Sequence, residues 1–293
     1  MIERIYIPTL KRAKRQITYD NLPAELQKRV VMVIRSEERG EYDYPCHYLE
    51  VPENFVGAWT ELSMTRKFIH EHAIADGIKY VMADDDAILF KRNQKYFGGL
   101  SDMEKSQRVA TEIEVLQLFE TASDWLDEKD LGIIGLSDGM TPPPPAEYSD
   151  SKGVYNFIFC DGKKIGTVID QHDTSTRVAE DVMFLFTCLT NGINTRQSNT
   201  FRYSNQSLNK DYKDIRPVWE GLFTDQMPEN YFQTLEHYNS LQKVKEKFPA
   251  FITIYEKDGV VKNTKHWKKA YEYGRTNTDV TETQHYLESI RNG

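Results

Sequence analysis

Short apolar runs alternate with helical periodicities along residues 1–203, and their order predicts the fold. Ile5-Tyr6-Ile7-Pro8-Thr9 reads as a strand that leaves its sheet at Pro8, because proline has no N–H for a ladder. Val30-Val31-Met32-Val33-Ile34 is a continuous apolar run of the kind found in strands buried on both faces. From Phe55 to Ala75 the apolar residues Leu62, Phe68, Ile69 and Ala73 keep helical spacing, and Asp76-Gly77 supplies a stop. Ile78 to Ala83 is the next strand and runs directly into Asp84-Asp85-Asp86. Strand, helix, strand in this rhythm predicts an α/β fold with a mainly parallel sheet flanked by helices.

Further along, Ser101-Asp102-Met103-Glu104 has the form of a capping box, opening a helix with Val109, Ile113, Leu116, Phe119 and Ala122 on one face. Leu131 to Leu136 is another strand, and Pro142 to Pro145 make a stiff loop that no sheet interior accepts. Val154–Phe159 and Lys164–Ile169 flank Asp161-Gly162, which reads as a hairpin turn. Val178 to Asn191 predicts a buried helix and Asn194 to Tyr203 a last strand. From Ile215 onward the pattern is helical and amphipathic, broken at Pro228, Pro249 and Gly259. The expected organisation is a main domain over residues 1–210 with a mostly helical extension, 211–293, packed on it.

Composition narrows the class. With 39% hydrophobic and 28% charged residues the chain is of folded, not disordered, type. No apolar run approaches the roughly 20 residues of a membrane span, and the apolar stretch after Met1-Ile2-Glu3-Arg4 is too short for a signal-peptide core. Cys46, Cys160 and Cys188 are odd in number and lack CxxC spacing, which excludes a disulfide framework or a thiolate zinc site. A reduced, cytoplasmic protein is expected. The net charge is −8, from 45 acidic and 37 basic residues, yet residues 241–275 carry nine Lys/Arg against four Asp/Glu. The first 39 residues carry nine against five. Such segments either meet a polyanion or are solvated helix faces.

Three aspartates at the end of an apolar strand form the strongest local signal, because adjacent carboxylates repel unless cations or donors compensate them. In an extended segment residues i and i+2 face the same way, so Asp84 and Asp86 are expected to face one ligand. Hard oxygen ligands suit Mg²⁺ or Mn²⁺ carrying a diphosphate; the plainer reading is a solvated acidic turn. Glu180-Asp181 opens a helix, where carboxylates are favoured by the dipole and also well fixed to take a proton. Pro8, Thr9, Lys11, Arg12 and Arg15 form a polar loop leaving the first strand, suited to a nucleotide or to a surface turn. Arg66 lies 18 residues before Asp84, one helix and a returning strand, so it can meet a carboxylate or a phosphate at that strand end.

Taken in order, Ile-Pro-Thr-x-x-Arg, Asn54-x-x-Gly57-x8-Arg66, the apolar strand with Asp-Asp-Asp, and Glu180-Asp181 resemble the GT-A glycosyltransferases over roughly residues 2 to 203. The resemblance is greatest to the inverting class with a helix-start Asp as base. The compact layout is also similar to the phage and kinetoplastid DNA glycosyltransferases of the base J type, which glycosylate a hydroxymethylated pyrimidine; a phage-encoded chain would work in the host cytoplasm. The resemblance implies that Pro8, Thr9 and Arg12 hold the nucleotide, with Arg66, Asp84 and Asp85 beside it. It implies that Asp86, with Asp84, binds the metal and that Asp181, with Glu180 next to it, is the catalytic base. Many such enzymes complete the metal shell with a late histidine; of His172, His237, His266 and His285, His237 is assigned that place. The chain lacks the Gln-x-x-Arg-Trp motif of processive synthases. The expected activity is metal-dependent sugar transfer from a nucleoside diphosphate sugar to a hydroxyl of DNA, with the basic 241–275 segment along the phosphates. A protein, lipid or glycan acceptor, a nucleotidyltransferase and a non-enzymatic nucleotide-binding module remain as alternatives. The sequence leaves the oligomeric state open.

Overall fold

The computed structural model describes residues 1–92, 107–137, 146–176, 178–205, 229–257 and 260–277. Its centre is a ten-stranded sheet in the order β3-β2-β1-β4-β9-β7-β10-β5-β6, with β8 paired to β10. The strands are β1 (Arg4–Pro8), β2 (Val30–Arg35), β3 (His47–Val51), β4 (Lys79–Ala83), β5 (Ala87–Arg92), β6 (Gln107–Val109), β7 (Leu131–Ser137), β8 (Tyr148–Asp150), β9 (Phe157–Asp161) and β10 (Asn194–Asn205). β1, β2, β3 and β4 are parallel neighbours, as are β7 and β10, while β5, β8 and β9 run against them. The α/β, mostly parallel arrangement expected from the sequence is therefore present, interrupted by antiparallel insertions.

Alternation along the strands builds two cores. Ile5, Ile7, Val30, Met32 and Ile34 face one layer, which holds α1 (Ile17–Asn21), α2 (Ala24–Gln27) and α4 (Glu112–Trp125). Tyr6, Val31, Val33, Tyr80 and Met82 face the other, with α3 (Glu61–Ala75), α5 (Gly162–Gly166) and α6 (Glu180–Leu189). Both faces of the central strands are buried, which is why they read as unbroken apolar runs. A third cluster packs Phe186, Met183 and Leu189 of α6 against Leu241, Val244, Phe248, Phe251 and Ala270. Those belong to α7 (Glu229–Lys247), the connection to the hairpin β11 (Ile252–Lys257) and β12 (Val260–Lys265), and a helix over 267–277, α8. Among the described residues no helix is long and apolar enough to cross a membrane.

Several expected elements take another form. Pro8 is the last paired residue of β1, opposite Val33, because only its N–H is missing and an end position tolerates that. The helix expected from Phe55 starts at Glu61; a short 3₁₀ turn, Glu53–Phe55, and Gly57 with φ of +75° precede it. The capping box lies at Thr111 and Glu114, so Val109 is in β6 and Ile113 is 69% exposed. Ser101–Glu104 and the four prolines lie outside the described residues, as does the expected boundary at residue 210. Asp161-Gly162 is no hairpin turn: the Asp161 carboxylate accepts from Lys163 and Lys164 N–H and caps α5. The tail is not wholly helical either, since β11 and β12 pair as antiparallel strands.

Candidate functional site

β1 and β4 are adjacent parallel strands, Tyr6 opposite Met82, so their carboxyl ends bring Thr9 and Asp84 to the same edge of the sheet. In open α/β sheets that edge is where ligands bind. The loop after β1 closes onto the aspartates. Thr9 Oγ1 donates to Asp85 Oδ2 at 2.7 Å, and Arg12 forms an ion pair with Asp85 and lies 3.8 Å from Asp86. Gln16 Nε2 donates to Thr9 Oγ1 and to the Arg12 carbonyl, and Thr18 Oγ1 donates to the Asp84 carbonyl at 2.5 Å. The Tyr42 hydroxyl approaches Thr9 Oγ1 and accepts from the Arg12 N–H; burial raises its pKa to about 12, keeping it a neutral hydroxyl. Burial also raises the Asp85 pKa, against the pull of Arg12 and Thr9.

Asp84 turns the other way. Arg66, from the second turn of α3, donates to Asp84 Oδ1 at 2.9 Å and pairs with Glu180 Oε1 at 2.8 Å. One guanidinium thus joins the β4 end to the first turn of α6. Burial opposes the Arg66 charge, but Glu180, Asp84 and Asp181 outweigh it and raise its pKa. Burial pushes Asp84 to about 6, opposed by Arg66 and helped by Asp86. Burial likewise pushes Glu180 to about 7, opposed by Arg66 and helped by Asp181. Just ahead of α6, Ala179 is held at φ +63°, a left-handed conformation that costs an L-residue about 1–3 kcal/mol and sets the angle at which Glu180 and Asp181 enter.

Arg66, Asp84, Asn156, His172, Glu180 and Asp181 line a common cleft. Asn156, left-handed at φ +59°, accepts from the Asp84 N–H through its carbonyl. His172 is buried with its Nδ1 unpartnered; burial lowers its pKa to about 3, so the ring is neutral. Asp181 is half-buried, and its charge acts on His237 of α7 and Lys265 of β12, whose pKa values burial lowers and Asp181 raises in part.

Thr9, Arg12, Asp85 and Asp86 therefore come together, as do Arg66, Asp84, Glu180 and Asp181. Asp84 and Asp86, expected to face one ligand, have different cationic partners, although the Asp86 charge reaches Asp84 and raises its pKa. After Ala83 the chain turns, so alternation fails, and Asp85 and Asp86 share Arg12 while Asp84 goes to Arg66. Among the described residues no three histidine, cysteine or carboxylate side chains form a group able to hold a metal ion. Gln16, Thr18, Tyr42 and Asn156 escaped the sequence reading, and His172 entered it only as one of four late histidines, with His237 preferred. Gln16 and Thr18 follow Arg12 closely in the chain, and that proximity was the signal available for them; the others arrive through long-range packing.

The model of the TET-Associated Glycosyltransferase family matches residues 3–211, which contain every residue of the cleft named above. Among solved structures, S. aureus TarS 1-349 is similar at 12% identity with a TM-score of 0.43, covering 84% of this chain and 73% of that one. The same protein in complex with UDP is similar at 12% identity with a TM-score of 0.37, covering 84% and 72%. No curated protein matches. By the extent of the family match, this chain belongs to the TET-Associated Glycosyltransferase family and is a glycosyltransferase.

Proposed function

We propose that the enzyme transfers a sugar from a nucleoside diphosphate sugar to the hydroxyl of a hydroxymethylated pyrimidine in DNA, with inversion at the anomeric carbon. The observation that carries this reading is the shared cleft. A strand-end aspartate, a buried arginine and the first-turn carboxylates of α6 line one space, joined by the Arg66 bridge. The loop of Pro8, Thr9 and Arg12, with Asp85, holds the nucleoside side of the donor, and Arg66 faces the phosphate side. The UDP bound by TarS is a ligand of the same chemical kind.

Asp181 is the base in this scheme. It takes the proton of the acceptor hydroxyl while that oxygen bonds to the anomeric carbon. The bond from that carbon to the diphosphate oxygen breaks, and the nucleoside diphosphate leaves with the electron pair. Neighbouring Glu180 is occupied by Arg66, which leaves Asp181 as the first-turn carboxylate for proton transfer. Asp86 and Asp84 are hard oxygen donors. They fit Mg²⁺ or Mn²⁺ only in the mode where one or two carboxylates share the ion with substrate phosphates and water. Bound there, the ion would supply positive charge opposite the leaving diphosphate.

Asp181→Asn is expected to lower kcat by about 10²- to 10⁴-fold with donor KM little changed. Initial rates with labelled donor on hydroxymethylcytosine DNA measure both. A variant of near-normal turnover removes Asp181 from the mechanism. For the ion, titration calorimetry of the donor with and without Mn²⁺ is expected to give metal-dependent binding that Asp86→Ala abolishes; equal binding in all arms removes the metal.

A further inference from the structure

The cleft continues inward beneath its charged rim. Both flanking helices line it twice, one turn apart: Arg66 and then His70 on α3, Glu180 with Asp181 and then Phe184 with Leu185 on α6. Four residues of helix advance about 6 Å, so the second positions form a floor under the first. The two levels differ in character. The rim carries Arg66, Asp84, Glu180 and Asp181, whereas His70, Phe184 and His172, which also line the cleft, are buried and uncharged.

The floor is built around one aromatic ring. His70 stacks on Phe184 with 4.2 Å between centroids, and His172 meets the same ring at 5.5 Å in an edge arrangement. Burial keeps both imidazoles neutral, so each has one N–H and one bare nitrogen. His70 Nδ1 pairs with the Tyr80 hydroxyl. His172 Nδ1 is buried with no partner among the described residues, in a residue only 4% exposed. Arg66 Nε is in the same condition, although its two terminal nitrogens serve Asp84 and Glu180. A buried polar atom that bonds nothing is costly, and in native proteins such atoms mostly have a partner.

The cleft leaves about 20 Å³ to the centre of a water-sized group, which admits one hydroxyl but not a sugar ring. The proposed reaction fixes what lies over it. The anomeric carbon is joined to the diphosphate, which Arg66 faces, and is attacked by the hydroxyl that Asp181 deprotonates. The transferred sugar therefore spans Arg66 to Asp181, across the mouth of the cleft. We propose that one hydroxyl of the donor sugar enters the floor and bonds to the His172 imidazole, which makes His172 a specificity-determining residue for the sugar. A hydroxyl donates and accepts at once, so it suits a site that offers an unpaired imidazole nitrogen and the Arg66 Nε–H. The inference rests on the transferase reading and deepens it by naming the residue that reads the sugar.

Binding separates the sugar from the rest of the donor. Calorimetry on the whole chain with Mn²⁺ compares the diphosphates of uridine, thymidine, cytidine, guanosine and adenosine, each alone and joined to glucose, galactose or mannose. At least one conjugate is expected to bind more tightly than its bare diphosphate. His172→Phe keeps a ring without a hydrogen-bonding atom. It is expected to raise the Kd of that conjugate about tenfold, the worth of one hydrogen bond, and to leave the bare diphosphate unchanged. His172→Asn, which returns a polar atom near the Nδ1 position, should recover part of the loss. If His172→Phe fails to fold, heteronuclear NMR of the native chain decides: the His172 Nδ1 resonance is expected to move with the conjugate and not with the diphosphate. Equal loss of both ligands in His172→Phe marks a structural role, and an unchanged conjugate Kd or a still resonance marks a place for water only. Either result overturns the proposal, as does a panel in which no hexose adds affinity, and each spares the transferase reading wherever a diphosphate binds. A chain that binds no diphosphate rejects that reading and this inference with it.

Discussion

Arg66 contacts two carboxylates from separate elements and is almost fully enclosed, with 12% of its side chain exposed. Removing the cation of a buried ion pair strands the charge left behind, typically at about 3–5 kcal/mol. Arg66→Ala is therefore expected to lose stability of that order in urea unfolding. Arg66→Lys keeps the charge but not the planar fork, and should recover only part of it. Glu180 gives a pH signature. Its pKa is raised from the ordinary carboxylate range to about 7, so in the window between them the folded state holds a proton that the unfolded state has released. Its contribution is full below about 4.5 and is lost as the pH rises through about 7. The melting temperature of the native chain relative to Glu180→Gln is thus expected to fall between pH 5 and pH 8, and a constant difference would refute the burial of this charge. The contact of Arg66 with a carboxylate was legible from its distance to Asp84 along the chain. Its second contact was not, because Glu180 reaches Arg66 only once α6 packs on α3.

At the scale of elements, α6 carries the first-turn carboxylates and is buried on both sides, by the sheet layer and by α7, β11 and α8. α8 comes so close that a Cβ on Gly274 would lie against the Leu189 carbonyl and 2.6 Å from the Gly192 nitrogen. Gly274→Ala is expected to push α8 away from the end of α6 and cost about 1–3 kcal/mol, despite the better helix propensity of alanine. A melting curve matching the native one would show that this approach is not tight. Elements buried on two faces, β2, β4, β7 and α6, were readable as apolar runs. The hairpin β11–β12 was not read, because the segment from Ile215 onward was taken as helical pieces separated at Pro228, Pro249 and Gly259. Asp161-Gly162 misled for a related reason: an aspartate that caps a helix and one that opens a turn look alike until the next residues pack.

For the whole molecule, the C-terminal segment is structural as well as basic. Phe186 lies 4.5 Å from the Trp267 ring and also packs against Phe248 and Phe251, so removing residues 211–293 would bare the outer side of α6. Exposed apolar patches of that kind drive association. A chain ending at residue 210 is expected to elute as aggregate in size-exclusion chromatography, while the full chain does not. The excess positive charge of residues 241–275 was visible in the sequence, but the folding of that segment against the helix bearing Glu180 and Asp181 was not, since it depends on contacts between distant stretches.

β10 is twelve residues long and breaks its register with β7 between Ser198 and Arg202; beyond that point Phe201 to Asn205 pair with β5. β5 begins at the residue after Asp86, so the bend governs where the aspartate segment is anchored on its far side. Arg202 is fully buried at that bend. Lesions there would spoil turnover without touching any ligand, and a search for heat-sensitive alleles should find them among Ser198 to Arg202 before it finds them in the cleft itself.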